Sequence, residues 1–216
     1  MSRPRVAIID YGMGNVLSVA RAVEYCGATV KVTREYKDLV AASHIVLPGV
    51  GAFAQGMLNL QQYQLDIIIK EVINISNKPF LGICLGMQLL MDSSQEFGQH
   101  SGLRMISGQV ISIPNVDSQG NVQKLPSIGW NQLCVAENRD NWQDTVFHDL
   151  TQNDSVYFTH SYQVSLQETR HALAYYYYGG APILAAMLKE NIIGCQFHPE
   201  KSGKVGLAVL KRFLMC

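Results

Sequence analysis

The sequence predicts an α/β fold: an open, mostly parallel sheet flanked by helices, with an added antiparallel strand region in the second half. Three observations carry that expectation. Short apolar runs alternate with helical patterns from Arg5 to Asp92, the rhythm of a doubly wound sheet. Within that stretch, Pro79–Asp92 (PFLGICLGMQLLMD) passes from a buried-strand pattern straight into a helical one, with Cys84 at the junction. Beyond Asp92, strand patterns follow one another with only turn clusters between them, which calls for hairpins at a sheet edge or a second small sheet. At 216 residues the chain fits one domain spanning 1–216, long enough to bury a full core.

Taken in order, Arg5–Asp10 (RVAIID) is an apolar run suited to a buried parallel strand. Tyr11–Asn15 turns into a helix through Val16, Val19, Ala20 and Val23, which Gly27 ends. Gly12 and Gly14 suggest a dinucleotide fingerprint, but its third glycine falls on Leu17, and the nucleotide reading fails. Ala28–Thr33 and His44–Leu47 read as strands, and helical periodicity fills much of Ala52–Asn74. Later strands are expected at Val110–Ile113, Gln132–Val135, Ser155–Phe158, Tyr162–Leu166, Ala172–Tyr177, Ile183–Leu188 and Ile192–Phe197. Ser202–Phe213 closes the chain as a helix whose inward face is set by Val205, Ala208, Val209 and Arg212 or Phe213. The tyrosines of Tyr175–Tyr178 divide between the two faces of a strand, where packing accounts for them.

Composition narrows the function. The 17 basic and 17 acidic residues cancel, so no electrostatic footprint for nucleic acid or an anionic membrane surface exists. Apolar runs are too short or too interrupted to span a bilayer, and Met1–Pro4 leads directly into a strand with no secretory pattern. The five cysteines are odd in number and lack zinc-ligand spacing, so they read as reduced thiols of a cytoplasmic protein, with neither metal nor cofactor expected.

The chemistry begins at Cys84. A G-x-C-x-G frame between strand and helix is the cysteine form of a nucleophile elbow. Gly82 and Gly86 let backbone pass close on either side, and a sulfur at a helix N-terminus is favoured as thiolate. Pro48–Phe53 (PGVGAF) supplies two glycines around Val50, freeing backbone N–H groups to form an oxyanion hole. Near the far end, Gln196–Glu200 (QFHPE) follows a strand; residues two apart in an extended segment point the same way, so His198 and Glu200 can pair. In a doubly wound sheet both segments reach the same strand-end edge, which makes a Cys84-His198-Glu200 triad natural. His44, His100, His148 and His171 read as solvated side chains, and His160 as a binding or structural residue.

Together GICLGMQLL, PGVGAF, YFTHSY and QFHPEKS resemble the class I (triad) glutamine amidotransferases. IDYGMGN and IGWN narrow the likeness to glutaminase subunits of imidazole glycerol phosphate synthase, over about Val6–Phe213. The resemblance implies a flavodoxin-like sheet and a glutaminase that makes ammonia through a cysteinyl thioester. It implies Val50, Gly51 and Leu85 at the oxyanion hole, and Gly49, Gln88, His160, Ser161 and Tyr162 around the glutamine. It also implies a heterodimer with a (β/α)8-barrel synthase, contacted through Asn15, Trp130, Asn131, Tyr157 and Lys201, and an oxyanion donor that forms only when that partner binds. The family usually has histidine where this chain has Ser127, a position expected near the partner contact. That departure keeps a second acceptor in view, a synthase amidating a surface sugar. A catalytically silent interaction subunit and a partner-independent peptide hydrolase of the same fold complete the alternatives.

Overall fold

The computed structural model describes residues 3–216. The first half alternates strand and helix: β1 (Arg5–Ile9), α1 (Val16–Tyr25), β2 (Thr29–Thr33), α2 (Tyr36–Ala41), β3 (His44–Gly49), α3 (Phe53–Gln62), α4 (Leu65–Ser76), β4 (Phe80–Cys84) and α5 (Leu85–Leu89). The second half is strand-rich. It contains β5 (Ser93–Ser94), β6 (His100–Ser101), β7 (Gly108–Ser112), β8 (Ser127–Gln132), β9 (Cys134–Val135), β10 (Ser155–His160), β11 (Tyr162–Leu166), β12 (Ala172–Tyr178), β13 (Ala181–Lys189) and β14 (Ile192–Cys195), and closes on α6 (Gly203–Phe213).

The main sheet has the order β2-β1-β3-β4-β14-β13-β12-β9. Its first five strands are mutually parallel, and β13, β12 and β9 extend it antiparallel. Period-two alternation sends Val6 and Ile8 of β1 to one face, against Val19 and Val23 of α1 and Val209 and Phe213 of α6. Ala7 and Ile9 go to the other, with Leu39, Phe53, Leu60 and Ile69 from α2, α3 and α4. Two small sheets stand apart, β10-β8 and β11-β7-β5-β6. Among the described residues, no helix is long and apolar enough to cross a membrane.

The fold class and the antiparallel region follow the expectation, and several local readings need correction. The helical stretch after Ala52 is two helices, broken where Gln64 adopts a left-handed φ of 57°. A short helix, α2, lies in a stretch the periodicity left unassigned. The strand expected at Gln132–Val135 is two pieces, with the longer β8 starting back at Ser127. His44 is buried and meets Phe213 edge-on at 5.1 Å, so it is a core residue and not a solvated one.

Candidate active site

The elbow forms as the glycines require. Cys84 ends β4 with φ 53° and ψ −111°, a strained conformation for a non-glycine residue. A Cβ on Gly86 would lie 1.8 Å from the Leu47 carbonyl oxygen, so only glycine lets α5 leave β4 beside β3. Gly49 pairs with Cys84 across the β3–β4 register, which sets PGVG beside the sulfur. A Cβ on Gly49 would fall 2.3 Å from the Tyr11 hydroxyl, whose phenol lies fully buried beneath this loop. Val50, Gly51 (φ 110°) and Leu85 line the same cleft as Cys84, a cavity of about 350 Å³. Leu85 opens α5, so its N–H has no partner four residues back within the helix.

His198 and Glu200 meet, by a different route from the expected one. β14 stops at Cys195, and Pro199–Lys201 is a single 3₁₀ turn, so the pair does not lie on a continuous extended strand. The turn curls Glu200 back, and His198 Nδ1 donates to its Oε1 at 2.8 Å with both side chains almost fully buried. Burial opposes charge on the imidazole, but the Cys84 thiolate and the Glu200 carboxylate outweigh it and push the His198 pKa up to about 9. Among the described residues, Nε2 makes no hydrogen bond of ordinary geometry, and Cys84 is the group it faces electrostatically. Backbone contacts hold the ring in place: His198 N–H donates to the Tyr157 carbonyl at 3.0 Å, and the His198 carbonyl accepts from the Ser202 hydroxyl at 2.7 Å. Ser202 Oγ also accepts from Tyr157 N–H at 3.0 Å. Nothing in the sequence marks Ser202 as a site residue beyond its place in HPEKS.

His160, Ser161, Tyr162 and Gln88 all line the cleft. His160 is committed at both nitrogens. Nδ1 donates to the Tyr162 carbonyl at 2.8 Å, and Nε2 lies 2.8 Å from the Tyr176 hydroxyl, which is 3.2 Å from Ser127 Oγ. Nδ1 carries the only proton of a neutral imidazole, so Tyr176 donates to Nε2 and Ser127 donates to Tyr176. Burial, with His198 nearby, lowers the His160 pKa to about 4 and keeps the ring neutral. Tyr176 is therefore more than packing. Ser127 is fully buried in this network, whereas Ile128 and Trp130 of the same strand are exposed, so its side chain points inward, to Tyr176 behind His160.

Glu96 likewise carries no local mark in the sequence. It lines the cleft, and its carboxylate accepts from Phe53 N–H at 2.5 Å. Outside the cleft, Trp130 is 57% exposed and meets Tyr157 edge-on at 6.1 Å. Lys201 is exposed, Asn131 half-buried, and Asn15 caps α1 by accepting from Ser18 N–H. Among the described residues, no three His, Cys, Asp or Glu side chains gather to hold a metal ion.

Comparison with known proteins agrees with this geometry. Imidazole glycerol phosphate synthase subunit HisH 1 of Legionella pneumophila is 46% identical over 209 residues, covering 97% of this chain and 98% of that protein. The HisH subunit of Lactococcus lactis is 41% identical over 210 residues, at 97% and 98% coverage. Among solved structures, PurLQS from Thermotoga maritima aligns with a TM-score of 0.68 at 19% identity, covering 99% of each chain. A glutamine amidotransferase from the same organism aligns with a TM-score of 0.58 at 19% identity, covering 93% of this chain and 77% of the other; these two likenesses speak for the fold. The profile of "Glutamine amidotransferase class-I" matches residues 7–216, and the chain belongs to that family.

Proposed function

We propose that this chain is the glutaminase subunit of imidazole glycerol phosphate synthase, acting in histidine biosynthesis. The observation that carries the reading is Cys84 on a strained elbow, with His198 beside it and tied to Glu200 at 2.8 Å. Identity of 41–46% over nearly the full length to HisH subunits supports the pathway.

In this reading the Cys84 thiolate attacks the side-chain amide carbon of glutamine. A carbon–sulfur bond forms, and the carbonyl π pair moves to oxygen. Backbone N–H groups of Leu85 and of the Val50–Gly51 loop hold that oxyanion, each donor being worth about 10²–10³ in rate. His198 gives its proton to the amide nitrogen as the carbon–nitrogen bond breaks, releasing ammonia and leaving a thioester. It then takes a proton from water, whose oxygen replaces sulfur to give glutamate and the free cysteine. Glu200 fixes the tautomer and supports the imidazolium, as the third member of a triad does. Gln88 and Glu96 take the ammonium end of the substrate; Gly49, His160, Ser161 and Tyr162 shape the rest of the pocket. His160 contributes as a neutral wall residue and not as a base.

Ammonia released beside bulk water is protonated and lost as a nucleophile, so the chain docks on a (β/α)8-barrel synthase that receives it directly. Asn15, Trp130, Asn131, Tyr157 and Lys201 form the docking face, and the cytoplasm is the setting. Ser127, being internal, gives no reason to favour a sugar-amidating acceptor. The test mixes the purified chain with the barrel subunit, its acceptor substrate and glutamine. Glutamate release is expected, and Cys84→Ala should abolish it; equal rates from wild type and mutant would overturn the assignment.

A further inference from the structure

Cys84 has a second polar neighbour besides the imidazole. Gln196, fully buried between β14 and His198, directs Nε2 at Cys84 Sγ across 3.7 Å. Its Oε1 accepts from Gln88 Nε2 at 3.0 Å, and the same Gln88 nitrogen donates to the Tyr162 carbonyl at 3.0 Å. This chain of contacts fixes which end of each amide is which. A backbone carbonyl only accepts, so Tyr162 dictates that Gln88 presents its NH₂ group on this side. That group's second proton then requires an oxygen from Gln196, which leaves the Gln196 NH₂ facing sulfur.

We propose that Gln196 is a catalytic residue of the glutaminase reaction, a fixed N–H donor that holds the Cys84 sulfur as an attacking thiolate. The inference rests on Cys84 being the nucleophile. A hydrogen bond to the charged form favours that form. The donor adds to what the His198 imidazole supplies, and α5, with only five residues, offers little macrodipole at its start to do the same. The amide neither gains nor loses a proton, so it serves equally before attack and when the thioester breaks. Since Gln88 anchors Gln196 from one end and lines the glutamine cleft at the other, the donor and the substrate pocket share one rigid element.

The experiment compares wild type, Gln196→Met, Gln196→Asn and Cys84→Ala. Met keeps the length and removes both bonds; Asn keeps a buried amide but withdraws it by one methylene, which leaves a folded variant if Met disrupts the core. Two readouts are taken: glutamine hydrolysis with the barrel subunit, and alkylation of Cys84 by iodoacetamide across the pH range, followed at that residue by mass spectrometry. The expected result is alkylation about tenfold slower at neutral pH, recovering at alkaline pH, with kcat down by about tenfold and KM nearly unchanged, the scale of a lost hydrogen bond to a charged group. A merely structural Gln196 would leave the alkylation pH profile in place. A folded Gln196 variant whose profile and kcat superimpose on wild type, while Cys84→Ala is inactive, overturns this inference alone. Undiminished hydrolysis by Cys84→Ala overturns the Cys84 reading beneath it.

Discussion

Ser202→Ala is the sharpest probe of how His198 is held. Ser202 stands immediately before α6, where a serine ordinarily accepts a bond from the first turn, yet its side chain makes no such cap. The hydroxyl is committed backwards, donating to the His198 carbonyl at 2.7 Å and accepting from Tyr157 N–H at 3.0 Å. Ser202 is only 1% exposed, so water does not replace these bonds without rearrangement. The two losses are unequal. The His198 carbonyl keeps a second donor, Lys201 N–H at 3.0 Å, whereas Ser202 Oγ is the acceptor for Tyr157 N–H. One backbone N–H left buried and unpaired costs about 1–3 kcal/mol, and the small cavity adds to it. A net loss of about 2–3 kcal/mol corresponds to a fall in Tm of roughly 4–12 °C for a chain of this size. The effect is read by urea unfolding and by glutaminase kinetics on the same preparation. His198 loses an anchor while the cleft walls stay, so kcat should fall with KM nearly unchanged, and Ser202→Thr should restore part of both losses. A Ser202→Ala protein within about 0.5 kcal/mol of wild type, or with unchanged kcat, would refute the clamp.

Other expectations follow from the same geometry. Gly86→Ala would drive a Cβ to 1.8 Å from the Leu47 carbonyl oxygen, and should cost about 3 kcal/mol or more by overpacking, seen as a lowered urea midpoint despite alanine's better helix propensity. Glutaminase activity should decline as pH rises through about 9, the pKa at which His198 loses the proton it gives to the departing amide nitrogen; a rate still climbing well above that pH would contradict the acid role. His160 titrates near 4 in the fold but near its ordinary value when unfolded, so between those values the unfolded chain binds a proton that the native one refuses. Its contribution is complete above the unfolded pKa and is lost as pH falls, by about 3 kcal/mol in all; His160→Asn should flatten the pH dependence of the urea midpoint across that window.

What the sequence disclosed and what it hid divide by range. The elbow was legible because Gly82, Cys84 and Gly86 are neighbours whose spacing mirrors one steric problem, and His198 and Glu200 because a single turn joins them. The alternating first half was equally plain, since buried parallel strands and amphipathic helices leave periodic traces. The break at Gln64 was hidden because both helices carry compatible apolar stripes, and the left-handed residue between them is not glycine. The 3₁₀ turn at Pro199 has no mark of its own, since His-Pro reads equally as extension, and either geometry lets His198 reach Glu200. Gln196, Ser202, Tyr176 and Glu96 left almost no trace, because each acts on a partner far away in the chain: Gln196 on Cys84, Ser202 on Tyr157, Tyr176 on Ser127, Glu96 on Phe53. A buried polar residue announces itself only when its surroundings are known. In a sequence, His44 in the core and a surface histidine look alike.

Those long-range contacts converge on one place. The Tyr157 carbonyl receives His198 N–H, and the Tyr157 N–H holds Ser202, which in turn fixes the His198 carbonyl. Five residues on, the Tyr162 carbonyl receives both Gln88 Nε2 and His160 Nδ1. The elbow fixes where sulfur sits, but the β10–β11 backbone fixes His198, Gln88 and His160 relative to it. β10 is bonded on its other side to β8, which carries the exposed Trp130 packed edge-on against Tyr157. Tyr157 therefore touches Trp130 on one side and His198 on the other, the latter through one direct hydrogen bond and two more by way of Ser202, none of them involving Cys84. The 2.8 Å His198–Glu200 contact is by contrast local, joining the residue that caps the 3₁₀ turn to one inside it, so the pair needs no distant strand to form while its position relative to sulfur does.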